Sequence, residues 1–305
     1  MALPPDLPGR DHISHHPDLA GIEVQEVLRD RPSHAVYAVT KNERPYFMKI
    51  FRAHDAADQV RRTVDTLSSA ANALGQAENA VVRLRFAFPD AGAILLDPVH
   101  GIQLTTLIAA ASLPRRNALI ARAGSWLSKL TAERETGSFG DQFWLRGINE
   151  KFDQSCDRGA DRKLLESQIK ALMRLGKTIS GAPVSRAVSH GDFTPDNIYL
   201  EGPRLIGIDM QRPVKLAVAR DVARFLVWLQ SRRSGETMVM RHGVSASDFA
   251  ALTRVPRLIA PDQDGILQFM IGEIMIGYYL DAGDKPMRRR ALAAGMRHWQ
   301  DSQAA

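Results

Sequence analysis

Alternating apolar and polar residues begin the regular pattern of this chain. Three such runs, residues 22–28, 35–40 and 45–51, are separated by the polar segments 29–34 and 41–44, which are rich in turn-forming residues. Alternation places successive side chains on opposite faces of a strand. The pattern therefore predicts three consecutive antiparallel strands.

The spacing of apolar residues changes after residue 55. They recur at steps of three and four positions, at Val60, Val64, Leu67, Ala71 and Leu74. This is the period of an amphipathic helix, which we expect to end at Gly75. Alternation returns at residues 82–88 and 93–96. We predict a small N-terminal lobe of five antiparallel strands and one helix.

Helical periodicity dominates the remainder of the chain. The candidate helices are residues 104–110, 113–133, 161–179, 215–232, 266–280 and 292–299. The fold class predicted is α+β. The predicted domains are an N-terminal tail at residues 1–20, an N-terminal lobe at residues 21–97 and a mainly helical C-terminal lobe at residues 98–305.

Composition adds few constraints to this picture. The chain has 305 residues, a net charge of +6 and a pI of about 9.6. No basic run exceeds residues 288–290 and no nucleic-acid motif accompanies it, so we expect scattered surface charge and no nucleic-acid partner. The single cysteine, Cys156, excludes an internal disulfide and suits a reducing compartment.

Membrane insertion and export are not predicted. The most apolar stretch, residues 266–280, contains Glu273 and is shorter than the roughly 20 residues of a membrane span. The first residues lack the features of a signal peptide, and we expect the protein in the cytoplasm. His12, His15 and His16 are either metal ligands or a solvated cluster, and the absence of neighbouring cysteines favours the cluster.

The chemistry of the chain is concentrated in residues 190–209. Asp192 precedes Asn197 by five positions, and Asp209 ends the apolar run 205–208. A short hairpin between them is expected to fold Asp209 back toward the other two. Phosphoryl transfer requires a carboxylate that orients the acceptor hydroxyl, and oxygen ligands that hold Mg²⁺. We predict Asp192 as the base, and Asn197 and Asp209 as the metal ligands.

The run His190-Gly191-Asp192-Phe193-Thr194-Pro195-Asp196-Asn197, followed by Ile208-Asp209, resembles the signature of the aminoglycoside phosphotransferase and choline kinase-like family. The resemblance implies a two-lobed protein-kinase-like fold, ATP and Mg²⁺ as cofactors and a small hydroxyl compound as acceptor. It also implies that His190 and Asp221 support the catalytic loop. For Asp221 the alternative is a surface ion pair with Arg220 or Arg224.

Lys49 lies among apolar residues of the third strand, where a buried ammonium is costly unless it meets an anion. In protein kinases the lysine at this position binds phosphates, and the alternative is an edge-strand lysine that reaches solvent. The resemblance further implies an acidic partner on the following helix. Asp65, 16 residues after Lys49, is the candidate, with Asp58 as the competing one. Either could instead be a solvated carboxylate.

The remaining nucleotide contacts follow from the same resemblance. Residues 96–101 resemble the hinge that binds adenine, which makes Asp97 and Val99 candidate contacts. The turn at residues 29–34 lacks the glycines that cover phosphates in protein kinases. Ser33, Arg29 or Arg31 could contact phosphate instead, or the turn is an ordinary hairpin.

The acceptor is not defined by the sequence. An acceptor pocket and packing under a surface loop are alternatives for Phe143, Trp144, Glu150, Phe152, Asp153 and Asp157, with packing favoured. Glu273 either faces a cationic substrate or is a structural acid. Gln211 and Arg212 follow Met210 where relatives often carry another acid, which disfavours a strongly cationic acceptor and leaves a sugar or an amino alcohol.

Two other classes of function compete with this interpretation. A protein kinase is disfavoured because the loop lacks His-Arg-Asp, and neither Asp-Phe-Gly nor Ala-Pro-Glu follows it. A catalytically silent nucleotide-binding regulator is favoured by the glycine-free turn and by Asp65 in place of glutamate. The presence of Asp192, Asn197 and Asp209 together favours an enzyme.

Overall fold

The computed structural model describes residues 16–155, 159–210, 214–233 and 239–304. It divides into two compact units, one of Met1–Ile102 with Tyr199–Pro213 and one of Gln103–Ile198 with Val214–Ala305. The expectations for His12 and His15, Cys156 and Asp157, and Gln211 and Arg212 fall outside the described residues. The domain boundaries at residues 20 and 97 stay predictions.

The first unit contains a five-stranded antiparallel sheet with the order β1-β2-β3-β6-β5. Its strands are β1 Ile22–Asp30, β2 His34–Lys41, β3 Arg44–Phe51, β5 Leu84–Phe88 and β6 Ala93–Leu96. Asn42 and Glu43 join β2 to β3 with positive φ angles of 49° and 62°, as a two-residue hairpin turn requires. Tyr37, Met48 and Leu95 are buried in the core of this sheet. The five predicted strands are confirmed.

Helix α1, Ala56–Leu74, packs its apolar residues inward and ends where the sequence predicted. Gly75 adopts a φ of 74°, and its N–H donates to the Ala71 carbonyl at 3.0 Å. Glycine reaches this left-handed conformation without the steric cost of a Cβ.

A second sheet has the order β4-β11-β10-β7. Its strands are β4 Asn79–Val81, β7 Ile102–Gln103, β10 Ile198–Glu201 and β11 Arg204–Gly207, and the chain leaves the first unit within β7. β11 is parallel to β4, with Leu205 beside Asn79. The sequence did not predict β4, because three residues are too few to show alternation.

The second unit is mainly helical, as predicted. Its helices are α2 Leu104–Ala109, α3 Leu113–Leu130, α4 Gln142–Gln154, α5 Arg162–Ile179, α6 Val218–Gln230, α7 Ala246–Thr253, α8 Asp264–Leu280 and α9 Pro286–Ala304. Five short strands accompany them: β8 Glu135–Ser138, β9 Pro183–Val188, β12 Lys215–Ala217, β13 Met240–Arg241 and β14 Val244–Ser245.

The start of α6 corrects one prediction. Residues 215–232 were expected to form one helix, but Lys215–Ala217 pairs antiparallel with β9 before the helix begins. The ladder with β9 satisfies backbone groups that the helix would otherwise use, so tertiary pairing overrides the local helical pattern. The predicted helix at residues 113–133 likewise ends earlier, at Leu130.

Helix α8 is buried on nearly all sides, which explains its continuous apolar sequence. Within the described part of the chain, every helix is too short or too polar to cross a membrane.

The first turn of α8 contains Asp264, whose protonation should make the stability of the fold depend on pH. The His242 side chain lies 3.0 Å from Asp264 and Arg241 donates to it at 3.0 Å. The hydrogen bond with His242 is the main cause that lowers the pKa of Asp264 below its ordinary value of 3.8. A carboxylate with a lowered pKa in the folded state stabilises the fold above its unfolded pKa and loses that contribution as pH falls.

We therefore expect the melting temperature of wild type to exceed that of Asp264→Asn most clearly above about pH 4, with the gap closing at lower pH. Thermal unfolding followed by circular dichroism between pH 3 and pH 7 measures this. The exposed Asp284 supplies the matched control, Asp284→Asn. A gap between wild type and Asp264→Asn that is constant across this range would contradict the prediction.

Candidate active site

In the first unit, the Lys49 ammonium donates a hydrogen bond to Asp209 Oδ1 at 2.9 Å. Lys49 lies in the middle of β3, and Asp209 follows β11 with a φ of 54°. Aspartate tolerates this left-handed conformation better than most residues, and strand β11 ends two residues earlier, at Gly207. Both side chains are about three-quarters buried, with exposures of 20% and 27%.

These two residues line a cavity of about 260 Å³. One face of α1 contributes Gln59, Arg62, Thr63 and Thr66, and the other lining residues are Ser33, His34, Phe51 and Met210. Residues spaced by three and four positions lie on the same side of a helix. The α1 face in this cavity therefore presents amide, hydroxyl and guanidinium groups.

The structure does not bring Lys49 and Asp65 together. Lys49 contacts Asp209, whereas Asp65 lies on the exposed side of α1. Its neighbour Thr66 is buried and lines the cavity instead. One helical position rotates a side chain by about 100°, so the spacing from Lys49 alone could not decide which residue faces the cavity. The competing candidate, Asp58, pairs with the exposed Arg61 at 2.8 Å.

Ser33 lies in the same cavity as Lys49, and its hydroxyl is 3.1 Å from His34 Nδ1. Burial lowers the pKa of His34, and the positive charge of Lys49 lowers it further. His34 was not predicted as a site residue. Lys49 and Arg62 are the cationic side chains of the cavity, and each is paired with a carboxylate, Lys49 with Asp209 and Arg62 with Asp55.

A larger cavity of about 600 Å³, also in the first unit, is lined in part by Asp97 and Val99. The Asp97 amide donates to the Arg83 carbonyl at 2.9 Å, and its carboxylate accepts from Arg85 at 2.6 Å. Apolar side chains of Val82, Leu84 and Ile206 line the same cavity. A cavity with apolar walls of this kind can accept a planar heterocycle.

In the second unit, Asp221 is buried at 1% exposure and accepts hydrogen bonds from the loop before Asp192. The His190 amide donates to Asp221 Oδ2 at 2.8 Å, the Gly191 amide to Oδ1 at 3.2 Å, and the Ser189 hydroxyl to Oδ2 at 2.8 Å. Gly191 has a φ of 83°, which favours glycine at the turn. Asp221 therefore contacts the loop and does not form the alternative surface pair.

His190 is fully buried between aromatic rings. Its ring centroid lies 5.8 Å from that of Trp126 and 5.9 Å from that of Phe193. The Asp192 amide donates to His190 Nδ1 at 3.4 Å. His190 thus helps to fix the backbone amide of Asp192.

Both carboxylate oxygens of Asp192 have partners. The Asn197 side-chain amide donates to Asp192 Oδ2 at 2.9 Å and to the Asp192 carbonyl at 2.8 Å. The Arg224 guanidinium donates to Asp192 Oδ1 at 3.2 Å. A carboxylate in contact with one amide and one guanidinium has a defined orientation, as a general base requires.

The hydrogen bond between Arg224 and Asp192 was not predicted. Arg224 follows Asp221 by three residues on α6, so the two side chains lie on the same side of the helix. The periodicity could have placed Arg224 beside the catalytic loop, since Asp221 was already expected there.

Asp196, within the loop, was also not predicted to have a role. Its carboxylate accepts hydrogen bonds from the Thr105 hydroxyl at 2.6 Å, the Trp228 indole at 3.1 Å and Arg232 at 3.0 Å. These contacts fix the 3-10 turn Pro195–Asn197 that presents Asn197.

The predicted metal ligands suit Mg²⁺ by their chemistry. Asp209 supplies carboxylate oxygens and Asn197 an amide oxygen, and Mg²⁺ prefers such hard donors. The Asn197 Nδ2 atom donates to Asp192, which directs its Oδ1 atom away from that carboxylate. No group of three or more histidine, cysteine, aspartate or glutamate residues in the described ranges could hold a metal ion.

These features define a protein-kinase-like phosphotransferase. Residues 25–236, more than half of the chain, match the model of the phosphotransferase enzyme family. The chain belongs to this family. No curated protein matches the sequence significantly.

Solved structures share the fold at low sequence identity. A thermostable mutant of the aminoglycoside phosphotransferase APH(4)-Ia is 12% identical, with a TM-score of 0.61 over 92% of this chain and 96% of that one. A choline/ethanolamine kinase family protein from Mesorhizobium loti is 16% identical, with a TM-score of 0.58 over 97% and 93%. A glucosamine kinase in complex with glucosamine, ADP and inorganic phosphate is 12% identical, with a TM-score of 0.57 over 96% of both chains.

The resemblance to this family, the α+β protein-kinase-like fold and the enzyme class are confirmed. As a member of this family, the chain is assigned to the phosphotransferases. A silent regulator of this family would bind ATP but show no acceptor-dependent release of ADP.

Proposed function

We propose that this protein transfers the γ-phosphoryl group of ATP to a hydroxyl group of a small molecule, with Mg²⁺ as cofactor. The observation that carries the proposal is the environment of Asp192. Asn197 and Arg224 bind its two oxygens, and Asp221 and His190 fix the backbone that leads to it. Such pre-organisation is required of a group that must meet a hydroxyl in one orientation.

Asp192 would accept a hydrogen bond from the acceptor hydroxyl and then its proton. As the acceptor oxygen forms a bond to the γ-phosphorus, the bond from that phosphorus to the bridging oxygen of ADP breaks. ADP leaves with the electron pair of that bond. The carboxylate then releases its proton to solvent.

Asn197 and Asp209 would hold Mg²⁺, which when bound neutralises phosphate charge. Lys49 would bind phosphate oxygens through its ammonium, and Ser33 through its hydroxyl, since both line the smaller cavity of the first unit. The Asp97 carbonyl and the Val99 backbone would contact adenine in the larger one. The glucosamine kinase of the same fold was solved with ADP, which supports nucleotide use here.

Release of ADP from the purified protein tests the proposal. ATP or GTP with Mg²⁺ is supplied with and without a panel of sugars, polyols and amino alcohols. At least one acceptor should accelerate ADP release above hydrolysis by water, and mass spectrometry should find its phosphate ester. Protein that binds ATP but shows no acceptor-dependent release across the panel would contradict the proposed function.

Lys49→Met should weaken nucleotide binding about tenfold, or by about 1.4 kcal/mol. Methionine preserves the length of the side chain but removes the charge that meets phosphate. Titration with a fluorescent ATP analogue measures the dissociation constant. Lys41→Met removes a lysine from the neighbouring strand β2, whose ammonium contacts the Ala20 carbonyl, and should leave binding unchanged. Equal losses in both variants would count against a phosphate role for Lys49.

A further inference from the structure

The second unit contains a cavity of about 710 Å³, within the range of small-molecule sites. It lies between α4, α6 and α8. Arg224, which contacts Asp192, is part of its lining. One lining residue of the cavity is thus hydrogen-bonded to the proposed base, which makes the cavity the candidate acceptor site.

Two features of this lining would ordinarily recognise a cation. The Trp144 ring offers an aromatic face, and Glu273 offers a carboxylate on a side chain that is only 10% exposed. An aromatic face beside a carboxylate binds ammonium groups well when water is largely excluded.

Both features are already occupied by a side chain of the protein. The Arg220 guanidinium carbon lies 4.1 Å from the centroid of the Trp144 ring, and its Nη1 atom donates to Glu273 at 2.8 Å. Arg220 and Glu273 are 17% and 10% exposed, so water screens this pair weakly. The guanidinium takes the place of a ligand cation.

The other charged residues that line the cavity are either paired within the protein or exposed. Asp281 pairs with Lys151 at 2.6 Å, and Arg224 pairs with Asp192 at 3.2 Å. The remaining charged residues of the lining, Arg146 and Glu150, are exposed on α4. A cationic acceptor would have to displace Arg220 and leave its charge without a partner in a mostly buried position, which is unfavourable.

We propose that the acceptor is a sugar or polyol without a positively charged group, and that Arg220 excludes amino sugars and amino alcohols from the cavity. This inference rests on the proposed function and specifies its substrate class. Hydroxyl-rich compounds present apolar C–H faces that pack on rings such as Phe143 and Tyr278. The buried Arg224 Nε atom has no hydrogen-bond partner among the described residues and can donate to an acceptor oxygen.

A binding experiment tests the role of Arg220 without turnover. Tetramethylammonium is titrated by calorimetry into wild type, Arg220→Ala and Arg220→Gln. Both variants remove the positive charge from the face of Trp144. Glutamine retains a hydrogen-bond donor for Glu273, so Arg220→Gln should fold even if Arg220→Ala does not. We expect both Arg220 variants to bind tetramethylammonium at least tenfold more tightly than wild type does.

Two controls define the site of that binding. Arg115→Ala removes an exposed cation of α3 that does not line the cavity, and it should leave binding unchanged. Arg220→Gln combined with Glu273→Gln should lose the gain, because no carboxylate remains beside Trp144. The role of Arg220 would be overturned by equally tight binding to wild type, or by no gain in a folded Arg220 variant.

A turnover experiment tests the substrate class with matched acceptors, glucose against glucosamine and ethylene glycol against ethanolamine. Wild type should prefer the hydroxyl member in kcat/KM, and Arg220→Gln should shift the ratio at least tenfold toward the amine. Preference of wild type for the amines, or an unchanged ratio, would overturn the inference. Absence of all acceptor-dependent ADP release would contradict the proposed function instead, while the binding experiment still decides the role of Arg220.

Discussion

Asp192→Asn should lower the turnover number about 10²–10⁴-fold, because asparagine is nearly the same size but cannot accept the proton of the acceptor hydroxyl. The variant should still bind nucleotide, since Lys49, Ser33 and the hinge residues belong to the other unit. ADP release with an acceptor that supports turnover in wild type measures the first effect. Titration with a fluorescent ATP analogue measures the second.

A matched control separates base chemistry from a general loss of carboxylate charge. Asp262→Asn changes an exposed aspartate of the same unit and should retain wild-type turnover. Asp192→Asn also leaves Arg224 without its carboxylate, so its melting temperature must be compared with that of wild type. Wild-type turnover in a folded Asp192→Asn variant would exclude Asp192 as the base.

Asp221→Ala should lower the free energy of unfolding by about 3–5 kcal/mol, because it leaves several buried donors without an acceptor. The amides of His190 and Gly191 and the hydroxyl of Ser189 all donate to this carboxylate, which is 1% exposed. Urea denaturation followed by circular dichroism gives the change in free energy. Turnover should also fall in the folded protein, since the same bonds position the backbone before Asp192.

The control for this variant is Asp281→Ala, which removes an exposed carboxylate from its pair with Lys151. Exposed pairs contribute at most about 1 kcal/mol. Asp221→Asn preserves shape and one acceptor oxygen, and it should lose less stability than Asp221→Ala. A loss below about 1 kcal/mol in Asp221→Ala would contradict a bracing role for this residue.

Strands and helices could be predicted from the sequence where the spacing of apolar residues repeats over a long enough continuous stretch. The alternation of residues 22–51 and the helical spacing from Val60 to Leu74 each repeat often enough to identify a strand or a helix. The short strands β4, β8 and β12 could not be predicted in this way. Each exists because a distant strand satisfies its backbone hydrogen bonds, and that partner is not visible in local sequence.

In the candidate site, too, local spacing predicted some residues, whereas contacts between distant elements could not be predicted. Asp192 and Asn197 were predicted from fixed spacing in one loop, and the structure brings them into direct contact. Asp65 was chosen by its distance along the chain from Lys49, but the rotation of α1 places Thr66 in the cavity instead. The contacts of Arg220 and Arg224 depend on packing between elements and on the loop conformation, which residue spacing does not specify.

The parallel pairing of β4 with β11 has a consequence for synthesis of the protein on the ribosome. β4 is made early, whereas Leu205 and its neighbours in β11 are translated only after about half of the second unit. The first unit is a discontinuous domain, and it cannot complete its second sheet until residues 204–207 have left the exit tunnel. The buried edge of β4 is therefore exposed to solvent or chaperones during much of translation.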